Sequence, residues 1–195
     1  MKALIGVLLI PLALLMACAE SSALIKQTGT STRNGVFEEV ARGGPVPQGF
    51  ADLYITASFK THHPGAYSAT DPHGTPGYQL QLNVDGQAVV LSGELQPENL
   101  SLKEPADPEA GAGIRYRFRK VLRLTAGTHR ISVTLPADDI AIAKDVRVEA
   151  GKENRLVLEP VYGRVMEKKR PSSNKTTGFR KGISRIMMNF NGRHL

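Results

Sequence analysis

From Ala51 to Tyr162 the chain repeats one pattern, an apolar side chain at every second position in short runs broken by turn formers. Leu53, Ile55, Ala57 and Phe59 alternate with polar neighbours, and so do Tyr78, Leu80, Leu82 and Val84. Successive side chains of a strand point to opposite faces, so each run offers one face to a core and one to water. Ile114, Tyr116, Phe118, Leu122 and Leu124 make another such face, interrupted by Lys120. Ile131, Val133 and Leu135 make a further one, and Leu156 and Leu158 point inward from the last segment. Asp85-Gly86, set between two apolar runs, specifies a tight hairpin, because both central residues of that turn take positive φ. Helical periodicity appears nowhere at length. Strands at this spacing predict an all-β fold, an antiparallel β-sandwich over residues 50–162.

Two stretches interrupt the strands. Thr61 to Gly77 is too rich in Pro and Gly for a strand, and Ser92 to Gly113 is a longer, acidic, proline-bearing excursion. Loops of this length in a compact domain are functional or mobile. Before the body, residues 18–49 read as a flexible linker of Ser, Thr, Gly and Pro, with a short VFEEV stretch that could dock on the domain. After it, residues 163–195 read as a basic tail, whose ISRIMMNF could add a last strand or lie on lipid. Residues 161–195 carry nine Lys/Arg and one acid, a net of +8; the whole chain is +7, so residues 1–160 sum to −1. The tail alone makes the protein basic.

The N-terminus places the chain in the cell. Lys2 precedes an apolar run from Ala3 to Leu15 that contains Pro11. The run falls short of the roughly 20 residues that span a bilayer, and its layout is that of a secretory signal peptide, residues 1–17. The only cysteine, Cys18, follows at once. Leu15-Met16-Ala17-Cys18 resembles the lipobox of bacterial lipoproteins. The resemblance implies that the Cys18 thiol is lipidated, that the signal is cut before it, and that the new amino group is acylated, with palmitate or a similar chain. Ala19 stands where an aspartate retains members of that family at the inner membrane. The implied location is therefore the outer membrane, periplasmic side, or the cell membrane of a host without an outer one. An ordinary free thiol is the alternative. With no second cysteine, the body has no internal disulfide to lean on.

NVDGQAVV, LRLTAGTHRISVTLP and VRVEAGKENRLVLEP, all between Tyr78 and Pro160, resemble the PEGA-type and carboxypeptidase-regulatory-like domains of bacterial envelope proteins. That likeness implies an Ig- or transthyretin-like sandwich acting as a non-catalytic scaffold or binding module. Ala126 departs from the family's proline, and residues 92–113 are foreign to it.

Three groups could carry chemistry. His62, His63, Asp71 and His73 share one loop and offer nitrogen and oxygen donors to a divalent metal. Their spacing matches no established motif, and Asp71-Pro72 and His73-Gly74 also serve simply as turn formers. Arg115, Arg117, Arg119 and Arg123 alternate with an apolar face, a ridge suited to carboxylates, phosphates or sulfates, or else a solvated outer face. Lys168, Lys169 and Arg170 mark the tail as a partner for anionic lipid, lipopolysaccharide or an envelope protein; nucleic acid is not expected outside the cytoplasm. No Gly-x-Ser-x-Gly, His-Glu-x-x-His, phosphate-loop or dinucleotide motif occurs, and no cofactor is expected. Asp138 and Asp139, as neighbours on a strand, would face opposite ways and make a poor acid–base pair. The expected protein is a non-enzymatic module tethered by lipidated Cys18; the alternative is a metal-binding protein or metal-dependent enzyme built on the histidine loop.

Overall fold

The structure, a computed structural model, describes residues 21–41, 44–100, 107–163 and 178–195 of the chain. Eleven strands follow one another among these residues: β1 (Phe37–Glu39), β2 (Phe50–Thr61), β3 (Gln79–Val84), β4 (Gln87–Ser92), β5 (Glu94–Leu100), β6 (Gly111–Thr125), β7 (Gly127–Leu135), β8 (Ile140–Val148), β9 (Asn154–Tyr162), β10 (Ile183–Phe190) and β11 (Arg193–His194). Two single 3-10 turns, Pro136–Asp138 and Phe179–Lys181, and a helical stretch over residues 21–28 complete the set.

The strands form two sheets packed as an all-β sandwich. One runs β6-β2-β9-β10-β11, with β1 and β5 sharing the other edge of β6; the second runs β4-β3-β7-β8. Every pairing is antiparallel except β2 with β9. Each apolar residue singled out by the alternation is buried between the sheets, from Leu53 on β2 to Leu158 on β9. Burial of each such Leu, Ile or Phe contributes about 1.5–3 kcal/mol relative to exposure. Phe59, Phe118 and Tyr116 pack together, Tyr116 stacked on Phe118 and Phe59 tilted to Phe118 with centroids 5.6 Å apart. Lys120 breaks the alternation without breaking the core, because its ammonium turns to Glu39 on β1.

The β3–β4 hairpin forms as its sequence dictates. Val84 faces Gln87, and Asp85 (φ 47°) and Gly86 (φ 97°) make the two-residue turn with positive φ at both positions.

The ends depart from the expected linker and tail. In the former, Thr28 and Phe37 are buried, the Gly86 carbonyl accepts from Thr32 N–H at 2.8 Å, and β1 pairs with residues 122–124 of β6. The reason is an edge to satisfy: β6 is long, and without β1 its far end would present unpaired backbone groups. In the tail, β10 lies along β9 and buries Ile183, Ile186 and Met188. Ile183 and Ile186 would face opposite ways on a regular strand. A register shift between Ile183 and Arg185 brings both inward. The acidic excursion is corrected in part as well. Its first half is strand β5, where Pro97 opposes Ile114 at a sheet edge that tolerates its missing N–H.

Candidate functional site

β2 ends at Thr61, and the chain then leaves the sheet for a folded loop to Tyr78. Internal bonds shape this loop. Thr61 Oγ1 accepts from Gly74 N–H at 3.1 Å, and Tyr116 O–H donates to the Thr75 carbonyl at 2.7 Å. Gly74 has φ 76°, and a Cβ there would lie 2.6 Å from Pro64 Cδ and 2.8 Å from the His62 carbonyl. The position therefore demands glycine on both conformational and steric grounds.

That fold brings together three of the four loop residues. His62 Nε2 lies 3.2 Å from Asp71 Oδ2, and His73 Nδ1 lies 2.5 Å from Asp71 Oδ1. The two imidazole centroids are 5.0 Å apart. His63 is exposed and stays out of the group. Asp71 also accepts from the His73 backbone N–H at 3.0 Å, which locks the turn.

A fourth group arrives from far along the chain. Asp138 sits in the 3-10 turn Pro136–Asp138, not on a strand, and its Oδ1 lies 3.3 Å from His73 Nε2. The same oxygen accepts from Ile183 N–H at 3.0 Å, and Oδ2 accepts from Tyr78 O–H at 2.7 Å. Asp138 thus joins the loop to the start of β10, a role that reading it beside Asp139 on a strand missed. The expectation of opposite-facing neighbours is set aside because a 3-10 turn does not alternate its side chains.

The electrostatics follow from these contacts. Burial opposes a charged His73, but the hydrogen bonds to Asp138 and Asp71 outweigh it and raise its pKa above the ordinary value. Burial likewise pushes against ionised Asp71; the His73 backbone and side-chain bonds more than offset it and lower its pKa. Burial drives the Tyr78 phenol far upward, so it remains an O–H donor to Asp138, and burial pushes Tyr116 up to about 12. The group opens to a cleft of about 390 Å³ whose rim includes Tyr67, Arg180 and Lys181. Tyr67 O–H closes one side by donating to the Arg180 carbonyl at 2.8 Å.

The arginine ridge lies on one surface of β6, but its ends are neutralised from within. Arg115 donates to Glu98 and to Glu109, each at 2.7 Å, and burial notwithstanding, the two carboxylates raise its pKa. Arg123 grips Asp52 with two bonds at 2.8 and 3.0 Å. Arg119 stands 4.0 Å from Glu94, with both side chains in solvent. Arg117 is exposed and makes no ion pair among the described residues. The continuous anion receptor expected of Arg115, Arg117, Arg119 and Arg123 is thus reduced to its middle, because β5 and β2 carry acids opposite its ends. Lys168, Lys169, Arg170 and Cys18 lie outside the described residues.

On β2 opposite Arg115, Lys60 is buried. Its Nζ donates to the Glu109 and Gly111 carbonyls at 2.7 Å each, lies 3.4 Å from Glu98, and sits 4.9 Å from the centre of the Phe179 ring. Among the described residues no helix is long and apolar enough to cross a membrane. Compared with protein family models, with curated proteins and with solved structures, the chain matches none of them.

Proposed function

We propose that the chain is a lipid-anchored protein of the bacterial envelope, in which the sandwich is a non-enzymatic binding or spacing module. The observation that carries this reading is Leu15-Met16-Ala17-Cys18 at the end of a short apolar run that follows Lys2. Acylated Cys18 would be the attachment point, and each buried methylene adds about 0.8 kcal/mol of membrane affinity. Ala19 favours the outer membrane, with the domain on the periplasmic side.

The packed N-terminal segment alters how such a tether works. The helical stretch over residues 21–28 starts three residue spacings from Cys18, and these reach at most about 11 Å. The sandwich would be held against the membrane surface, not at the end of a long leash. Partners within reach are anionic lipid, lipopolysaccharide or another envelope protein at that surface. The exposed Arg117 and Arg119 on β6 and Lys168, Lys169 and Arg170 supply positive charge for them.

The anchor is tested by expressing the full chain in a Gram-negative bacterium with labelled palmitate and taking the mass of the N-terminal peptide. The expected peptide begins at Cys18 and carries a diacylglycerol and an amide-linked acyl chain, and Cys18→Ser loses label and membrane association together. A mature protein that retains residues 1–17, or begins at Cys18 without lipid, overturns the reading.

A further inference from the structure

We propose that His62, Asp71 and His73 form a three-ligand site for a divalent transition-metal ion of the zinc class, open to the cleft below Arg180 and Lys181. One ligand atom from each residue lies within 4.8 Å of the others. Proximity alone would be thin support; the hydrogen bonds on the far side of each imidazole carry the inference.

His62 Nδ1 lies 3.0 Å from the His63 carbonyl. A carbonyl only accepts, so Nδ1 bears the hydrogen, and in the neutral ring Nε2 holds a lone pair. That lone pair faces Asp71 Oδ2 at 3.2 Å. His73 repeats the arrangement with its nitrogens exchanged. Nε2 lies 3.3 Å from Asp138 Oδ1, an oxygen already placed by Ile183 N–H, so in the tautomer with its hydrogen on Nε2 the Nδ1 lone pair faces Asp71 Oδ1 at 2.5 Å. In these tautomers both imidazoles aim a lone pair at the same carboxylate, the arrangement in which one ion can meet all three. Positive charge among the three stabilises such a set; a proton on His73 supplies it to one pair, whereas a divalent ion would supply it to all three at once.

The outer partners are the kind that metal-binding histidines use. A ligating imidazole gives its second N–H to a carboxylate or a backbone carbonyl, which fixes the tautomer and the ring orientation. Here Asp138 serves His73 and the His63 carbonyl serves His62. Asp138 is itself held by Tyr78 O–H and Ile183 N–H, so the second layer is anchored to the core. Two of the three ligand spacings are already near those of a bound ion, and all three atoms lie within 4.8 Å of one another. Bonds of about 2.0–2.2 Å to a tetrahedral ion place its ligands roughly 3.3 Å apart. The His62–Asp71 distance of 3.2 Å already meets this, and the His73–Asp71 distance of 2.5 Å needs to open by less than an ångström. Arg180 and Lys181 on the rim oppose a bare cation, while Asp71 and Asp138 offset them. Three protein ligands and an open fourth position are the layout of a site that keeps a water or an anion on the metal.

The test uses the full chain in detergent, titrated calorimetrically with Zn2+ alone. One equivalent is expected to bind with micromolar affinity or better. His62→Ala, His73→Ala and Asp71→Asn are each expected to weaken binding by about 100-fold or more. Asp138→Asn is expected to weaken it by roughly 10–100-fold, as loss of an outer-layer partner does. His63→Ala leaves it unchanged. Because a variant could lose its fold, the unaltered protein supplies a second readout. With 15N-labelled histidine, Zn2+ should shift His62 Nε2 and His73 Nδ1 and leave the rings of His63 and His129 in place. No stoichiometric binding at hundred-micromolar Zn2+, ring shifts confined to His63 or His129, or equal affinity in folded His62→Ala and His73→Ala would each overturn the proposal.

Discussion

Two charged clusters flank the end of β2, and they are built on opposite plans. On one side Lys60 and Arg115 meet Glu98 and Glu109, and two backbone carbonyls complete the coordination of the ammonium. On the other, His62 and His73 meet Asp71 and Asp138. The first cluster brings its own fixed cations. Arg115 stays charged at any ordinary pH and Lys60 Nζ lies 3.4 Å from Glu98, so the carboxylates are neutralised by covalently attached partners and nothing further need enter. The second has no fixed cation within hydrogen-bonding distance, only imidazoles whose charge depends on what binds their lone pairs. The same count of carboxylates therefore yields a closed structural clamp in one place and a receptive site in the other.

The C-terminal segment walls both clusters, so removing it should have the largest effect. Phe179 lies against Lys60, Ile183 N–H holds Asp138, and the Arg180 carbonyl holds Tyr67. Deleting residues 178–195 also takes Phe179, Ile183, Ile186 and Met188 out of the core. At about 1.5–3 kcal/mol each, that loss rivals the roughly 5–15 kcal/mol by which a domain is stable. The truncated chain is expected to show no cooperative urea transition; a sharp one would mean that the segment only decorates the fold. Next in size, Lys60→Ala should cost about 3 kcal/mol, because it removes one of the two cations on Glu98 and leaves the Glu109 and Gly111 carbonyls without their donor. The measurement is a fall in the urea midpoint at constant slope. The His62 and His73 ring resonances should stay where they are, since the two clusters share no ion pair; if they move, the clusters are coupled and the contrast fails.

The smallest expected effect is the response of the closed cluster to acid. Burial alone would raise the Glu98 pKa, but bonds from Arg115 and Lys60 outweigh it and hold the carboxyl below its ordinary value of 4.5. A carboxyl so lowered contributes stability that is full above the ordinary value and is lost as pH falls through the lower, folded one. Stability should thus decline below about pH 4.5, more gently in Glu98→Gln than in the unaltered protein, as read from urea midpoints across that range. Parallel curves for the two would show that Glu98 is not tied into the clamp.

The sandwich was legible because period-two alternation reports directly on which side chains meet a core, and every residue named from it is buried. What composition concealed were the ends. Ser, Thr and Gly before Phe50 and nine basic residues after Pro160 suggested loose chain, yet edges elsewhere in the sheet needed covering. One local signal did mark the last hairpin. Asn191 (φ 50°) and Gly192 (φ 82°) form a two-residue turn between β10 and β11, and Asn-Gly is the strongest short signature of such a turn. For the histidine loop, the sequence supplied His62, Asp71 and His73 together. It could not separate His63, which faces solvent, and it could not supply Asp138, which a tertiary contact delivers from the far side of β7. The arginine ridge was legible only in part: period two placed the side chains on one surface, but the acids that pair with Arg115 and Arg123 come from elsewhere in the chain.

The parallel neighbour of β2 has a kinetic consequence. Leu53 pairs with Leu122 on one side and with Asn154 on the other, so the central strand of the larger sheet waits for partners far downstream. Contacts this distant in sequence carry the loop-closure entropy that makes β-rich chains fold over milliseconds to seconds, where helical bundles take microseconds. A chain emerging N-terminus first cannot close this core until β9 has appeared, nor cover β9 until β10 follows. For most of its synthesis the polypeptide would remain open, with the apolar face of its central strand still waiting for cover.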